Sequence, residues 1–136
     1  MKIVQIEDFF HPDAGYKINI LSKYFARMGH ETVIITAELD KMPDFLTSFF
    51  GRDNIAARDR EYEQNYGVKI IRRPIWAYVS GRAIFKDDLA KLVNSLHPDV
   101  LYVHGNHDGS YKESEPGGCI CVDDAVYVWK GLRIMG

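Results

Sequence analysis

The 136-residue chain is poor in the features that mark unusual protein classes. Its two cysteines, Cys119 and Cys121, would point to opposite faces of an extended segment, which disfavours a mutual disulfide and a shared metal alike. A reducing, cytoplasmic setting is therefore the simplest expectation. No apolar run approaches the roughly eighteen residues that a membrane-spanning helix needs. The N-terminus, MKIVQIEDFF, turns acidic early and lacks a small-residue cleavage pattern, so a secretory signal is not expected. Charge of one sign is missing as well. Lysine and arginine number 17 against 19 acidic residues, and the formal net charge of −2 gives no electrostatic case for nucleic acid. The one basic cluster, Lys69 to Arg73, is broken by two isoleucines and reads as an alternating strand. What remains, 46% hydrophobic and 26% charged, suits a single globular domain with one core.

Taken in order, the pattern is that of an α/β protein. Lys2 to Ile6 is a short apolar strand ended by Glu7-Asp8, and the loop Phe9 to Gly15 carries Pro12 and Gly15 as punctuation. From Tyr16 to Met28 apolar residues fall at 18, 21, 24, 25 and 28, which predicts a helix with that face buried and Gly29 at its end. Glu31 to Thr36 is the second strand, closing a βαβ unit. Glu38 to Tyr66 is less regular: Phe45, Leu46, Phe49 and Phe50 form an apolar cluster, and Asn54 to Asn65 reads as a solvated helix. A connection of that length suits a binding loop or lid, or a peripheral helix pair over a sheet edge. Val68 to Arg72 is the third strand. Ile75 to Val79 reads as an aromatic loop closed by Gly81, and Ala83 to Leu96 as a second amphipathic helix with apolar positions 85, 89, 92, 93 and 96.

The fourth strand, Val100 to Val103, stops abruptly at His104-Gly105-Asn106-His107-Asp108. In open parallel sheets chemistry gathers beyond the carboxyl ends of the strands, which makes this tip a candidate site. After it the texture changes. A polar, glycine-rich stretch, Gly109 to Gly118, precedes three short strands, Cys119 to Val122, Ala125 to Trp129 and Leu132 to Met135, joined by two-residue turns at Asp123-Asp124 and Lys130-Gly131. The expected fold is thus a Rossmann-like doubly wound parallel sheet with a C-terminal antiparallel hairpin or meander, all in one domain. The chain stops at Gly136 with no capping helix, which suggests truncation.

Residues 1 to about 105 resemble the N-terminal domain of GT-B glycosyltransferases of family 4. The resemblance rests on MKIVQI, HPDAG, ARMGH followed by ETVIIT, GVKIIRRP and LHPDVLYVHG, in that order and spacing. Many members have a glycine pair in the first loop, whereas here Gly15 is followed by Tyr16. A small residue at such a strand-to-helix turn lets a sugar or phosphate approach the helix N-terminus, or merely permits a tight turn. His11 and Asp13 are candidates to bind an acceptor hydroxyl; Asp13 reads first as a helix cap. By the resemblance, His104 lines the acceptor and reaction cleft, with Gly105, Gly15 and Tyr16 beside the substrate. The implied partner is a sugar or glycan acceptor. The implied donor, a sugar nucleotide, belongs mainly to a second domain that these residues do not supply, so catalysis by this chain alone is not expected and no cofactor is.

Residues from about 101 to 136 resemble a piece of a calcineurin-like metallophosphoesterase, carried by Gly105-Asn106-His107-Asp108 and PGGCICVDDAVYVWKGLRIMG. In that family the asparagine ligates a metal, the histidine acts as general acid or phosphate contact, and the aspartate orients it. Carried over, His107 joins His104 as a candidate catalytic residue, and Asn106 and Asp108 become candidate metal-site residues. The remaining ligands are not supplied. Asp8-Phe9-Phe10-His11 is one residue too long for an aspartate-x-histidine, Gly51-Arg52-Asp53 lies in the irregular region, and no histidine follows His107. A dinuclear centre is therefore not expected, and a divalent metal enters only under this alternative. Both resemblances run into His104-Gly105-Asn106, as a join between two lineages would. A third reading is a non-catalytic chimeric scaffold that self-associates through an apolar edge at Val126 to Trp129, Leu132 and Ile134.

Overall fold

Four parallel strands form the frame of the computed structural model, which describes residues 1–103, 126–129 and 132–135. In chain order the first half holds β1 (Lys2–Glu7), α1 (Lys17–Arg27), β2 (Glu31–Ala37), α2 (Asp44–Thr47), α3 (Ile55–Tyr66) and β3 (Val68–Arg73). The second holds β4 (Ile75–Val79), β5 (Arg82–Phe85), α4 (Leu89–Leu96), β6 (Val100–Val103), β7 (Val126–Trp129) and β8 (Leu132–Met135). Contacts divide the chain into two compact units, Met1–His104 and Gly105–Gly136.

The first unit carries a sheet of order β3-β2-β1-β6, parallel throughout. Its strands are apolar because both faces are covered. Successive residues of β2 show this. Ile34 packs with Phe10, with Ile18 of α1, Tyr62 of α3 and Val68 of β3. Val33 and Ile35 point the other way, onto Val4 and onto Val93, Leu89, Leu92 and Leu96 of α4. The chain winds outward from β1 through β2 to β3, and α4 then returns it to the opposite side of β1. Strand order therefore reverses between β1 and β6, where Ile6 pairs with Val103. This is the doubly wound architecture, and the crevice at such a reversal is where these sheets bind ligands.

Several local expectations need correction. The buried face of α1 is formed by Ile18, Asn19 and Ser22, while Tyr24 and Met28 are exposed. Two polar residues take the inner face, where Ser22 Oγ lies 3.1 Å from Tyr62 Oη and Asn19 Nδ2 donates to His11 O at 2.9 Å. The helix α3 is solvated along most of its length, as its charge leads one to expect, but it also carries an inner face. Its Asp59 and Tyr62 are buried, and Asp59 receives Arg72 Nε at 2.6 Å and Nη2 at 2.9 Å. The supposed aromatic loop is a hairpin, β4 pairing antiparallel with β5 around Ser80 and Gly81, whose φ values of 51° and 84° suit a primed turn. The helix expected from Ala83 accordingly starts six residues later, at Leu89, behind the cap Asp88, whose Oδ1 accepts from Lys91 N at 3.0 Å.

Beyond the carboxyl ends of the strands lies a third cluster: Phe9, Ala37, Leu39, Met42 and Ile75, with Phe50, Ile55, Tyr78 and Phe85 packed against it. The connection after β2 is thus ordered by burial. Arg52 holds it, donating to Met42 O at 2.5 Å, Asp44 Oδ1 at 2.8 Å and Thr47 Oγ1 at 3.0 Å. Phe45 and Phe49, expected in the apolar cluster, are instead exposed.

In the second unit β7 and β8 pair antiparallel, Trp129 opposite Leu132, as the hairpin reading required. The expected strand Cys119 to Val122 and the side chains of the expected apolar edge lie outside the described residues. No helix among the described residues is long and apolar enough to cross a membrane.

Candidate functional site

The loop leaving β1 is held from below by two buried rings, Phe9 and Phe10, and from the side by Arg72, whose Nη2 donates to Phe10 O at 3.2 Å and whose Nη1 donates to Ala37 O at 3.1 Å. Because the same guanidinium grips Asp59, one side chain ties the ends of β1, β2 and β3 to α3. His11 follows and is fully buried, its ring stacked on Phe50 with centroids 5.0 Å apart and planes 23° apart. Asp13 N donates to His11 Nδ1 at 3.2 Å, so the neutral ring carries its proton on Nε2. Burial, chiefly, pushes the imidazole below its ordinary pKa, with the charges of Arg58 and Arg72 adding to this and Asp13 opposing. His11 O accepts from Asn19 Nδ2 at 2.9 Å, which fixes the loop to the first turn of α1.

Asp13 is not a cap. Tyr16 occupies the N-cap of α1 without a side-chain bond, and Asp13 Oδ2 instead receives Arg58 Nη1 at 2.6 Å. A cation in α3 outcompetes a backbone N–H, because the ion pair adds charge to the hydrogen bond. Gly15 has no positive φ, and a Cβ built there meets nothing within 4 Å. The turn does not require glycine; its effect is open space beside the backbone. Tyr16 is half-exposed and stands edge-on to Phe9 and to Phe50, each at 6.2 Å. The structure thus gathers His11, Asp13 and Tyr16 around Phe50, a residue outside the sequence-derived set. A small polar cavity of about 130 Å³, lined in part by Asp13, Arg58, Glu61 and Asn65, opens beside this loop.

A second group sits at the very end of β1. Glu7 is pushed up to about 7, first by burial and then by the charge of Asp8, while Arg82 acts to lower it. Arg82 Nη1 lies 3.2 Å from Asp8 Oδ2. Tyr78 belongs to the same group: burial first, then Asp8 and Glu7, raise its phenol. The hairpin β4–β5 thus brings a phenol and a guanidinium to the two carboxylates at the strand reversal. A carboxyl titrating near neutrality in such a place can give or take a proton. The signal visible beforehand was the Glu7-Asp8 pair at a strand end; Tyr78 and Arg82 had none, being about seventy residues away.

His104, Gly105, Asn106, His107 and Asp108 lie outside the described residues. Among the described residues no three His, Cys, Asp or Glu side chains converge to hold a metal ion. Comparison with known proteins gives no matching family model, no matching curated protein and no matching solved structure.

Proposed function

We propose that residues 1–104 form a glycosyltransferase-like acceptor-side domain, which holds a sugar or glycan at the strand reversal between β1 and β6 and does not turn over alone. One observation supports the reading: in the order β3-β2-β1-β6 the reversal falls beside β1, and the first loop and Glu7, with Tyr78 and Arg82 near it, follow from the carboxyl end of that strand, where such sheets commonly bind ligands. A carboxyl, a guanidinium and a phenol are groups that hydrogen-bond sugar hydroxyls. The contact boundary after His104 also falls where the two sequence resemblances meet.

Thermal melting with ligand tests this, because a ligand that binds only the folded state raises the melting point. A simple pyranoside such as methyl α-D-mannopyranoside should raise it saturably, and Mn²⁺ should not. Mn²⁺-stimulated hydrolysis of bis(p-nitrophenyl) phosphate, abolished by Asn106→Ala, would overturn the proposal in favour of a phosphoesterase. Protection by neither ligand would leave a non-catalytic scaffold.

A further inference from the structure

Two fully buried polar atoms at the corner between the first loop and α1 have no hydrogen-bond partner among the described residues: His11 Nε2 and Asn19 Oδ1. The two residues are direct neighbours, since Asn19 Nδ2 donates to His11 O at 2.9 Å. Their needs are complementary. With Nδ1 accepting from Asp13 N, Nε2–H is a donor without an acceptor, and Asn19 Oδ1 is an acceptor without a donor. Leaving buried polar groups unpaired is costly, so such a pair calls for something else to complete it. A group that can accept from one atom and donate to the other, as a hydroxyl or a water molecule can, would complete both.

The enclosure has a definable outer layer. Phe50 lies flat on the imidazole and is itself only half-buried, so it shields one face of the His11 ring from solvent. It is held by Arg58, whose Nη1 donates to Phe50 O at 3.0 Å and to Asp13 Oδ2 at 2.6 Å. Since Arg58 and Asp13 also line the polar cavity beside the loop, a ligand entering there meets the two groups that fix the cover.

We propose that His11 and Asn19 form a covered niche for one ligand hydroxyl, with Phe50 as its cover: when that ring moves aside, His11 Nε2–H donates to the hydroxyl oxygen and Asn19 Oδ1 accepts its proton. The niche stands on geometry; that the hydroxyl belongs to a sugar rests on the acceptor-side reading.

The test uses the full chain and diethyl pyrocarbonate, which acylates accessible imidazoles, with the His11 peptide followed by mass spectrometry and His30 as internal reference. In Phe50→Ala, His11 should be acylated about tenfold faster than in wild type, as expected when a local opening step is removed. Phe50→Leu, which keeps an apolar cover, should be intermediate and serves if the alanine variant does not fold. Methyl α-D-mannopyranoside should slow acylation of the uncovered protein saturably, and adding Asn19→Leu should abolish that protection. A folded Phe50 variant with His11 still as slow as wild type overturns the niche. So does fast acylation without protection, while the pyranoside still raises the melting point; the acceptor reading then survives. Absence of both effects overturns the niche and the acceptor reading together.

Discussion

Glu7 is the residue whose environment has the clearest consequence in solution. Its carboxyl is pushed up to about 7 in the folded protein from an ordinary 4.5, with burial as the main cause. The folded state therefore binds more protons than the unfolded chain between those two values, and stability must fall as pH rises through that window. His11 works in the opposite sense. Its pKa is lowered on folding, so its contribution is present above the ordinary value of 6.5 and is lost as pH falls below it. Glu7→Gln should therefore remove the declining limb and leave the protein relatively more stable at pH 8 than at pH 5, compared with wild type. Melting temperatures of both proteins across pH 4.5–8 check this; parallel curves would show that Glu7 titrates normally. The Glu7-Asp8 dyad was readable as an acidic strand end, but not its shift. The shift comes first from burial and then from Asp8, with Arg82 opposing it from about seventy residues away, and no local pattern announces either the burial or that distant partner. Asp13 shows the converse: a cap is a local inference, and it failed because Arg58, 45 residues on, offered a better bond.

At the level of elements, the apolar runs located the parallel strands, whereas the helical period located α1 but not its buried face. The strands β1, β2, β3 and β6 stand within a residue or so of their expected bounds because apolar runs between turn residues have few alternatives. The stretch Ile75 to Leu96 failed for a physical reason. Phe85 fits the helical spacing of the residues after it, yet it belongs to β5, where it pairs with Ile75. The primed turn at Ser80 and Gly81 had already committed the chain to a hairpin. The true start of α4 is marked by Asp88, the cap, and not by the first apolar residue. Likewise the inner face of α3 gave no apolar signal because it is an ion pair and a tyrosine. That pair, Asp59 with Arg72, has both side chains largely buried, 13% and 12% exposed, so removing one partner strands the other. Asp59→Asn should cost about 3 kcal/mol, as breaking a buried pair does, measured by urea denaturation. A loss under about 1 kcal/mol, the range of an exposed pair, would mean the guanidinium is held by Phe10 O and Ala37 O instead.

Across the whole molecule, the winding of the chain gives the first unit a core of its own. Among the described residues, the three apolar clusters draw on positions 4 to 101, covering both faces of the sheet and the region beyond its strand ends. Each strand of the four-stranded sheet is also contributed by this unit, and its two edges, β3 and β6, come from inside it. Among the described residues this unit carries its own hydrophobic clusters, and such a core is the usual requirement for independent folding. The protein cut after His104 should therefore unfold in one cooperative urea transition, with the far-ultraviolet circular dichroism of a mixed parallel α/β fold. If this shortened chain is unfolded or molten, the first unit borrows stability from residues 105–136. The reading of residues 1–104 as a separable acceptor-side domain would then fail, because a domain inherited from one lineage must carry its own fold before it can carry a site.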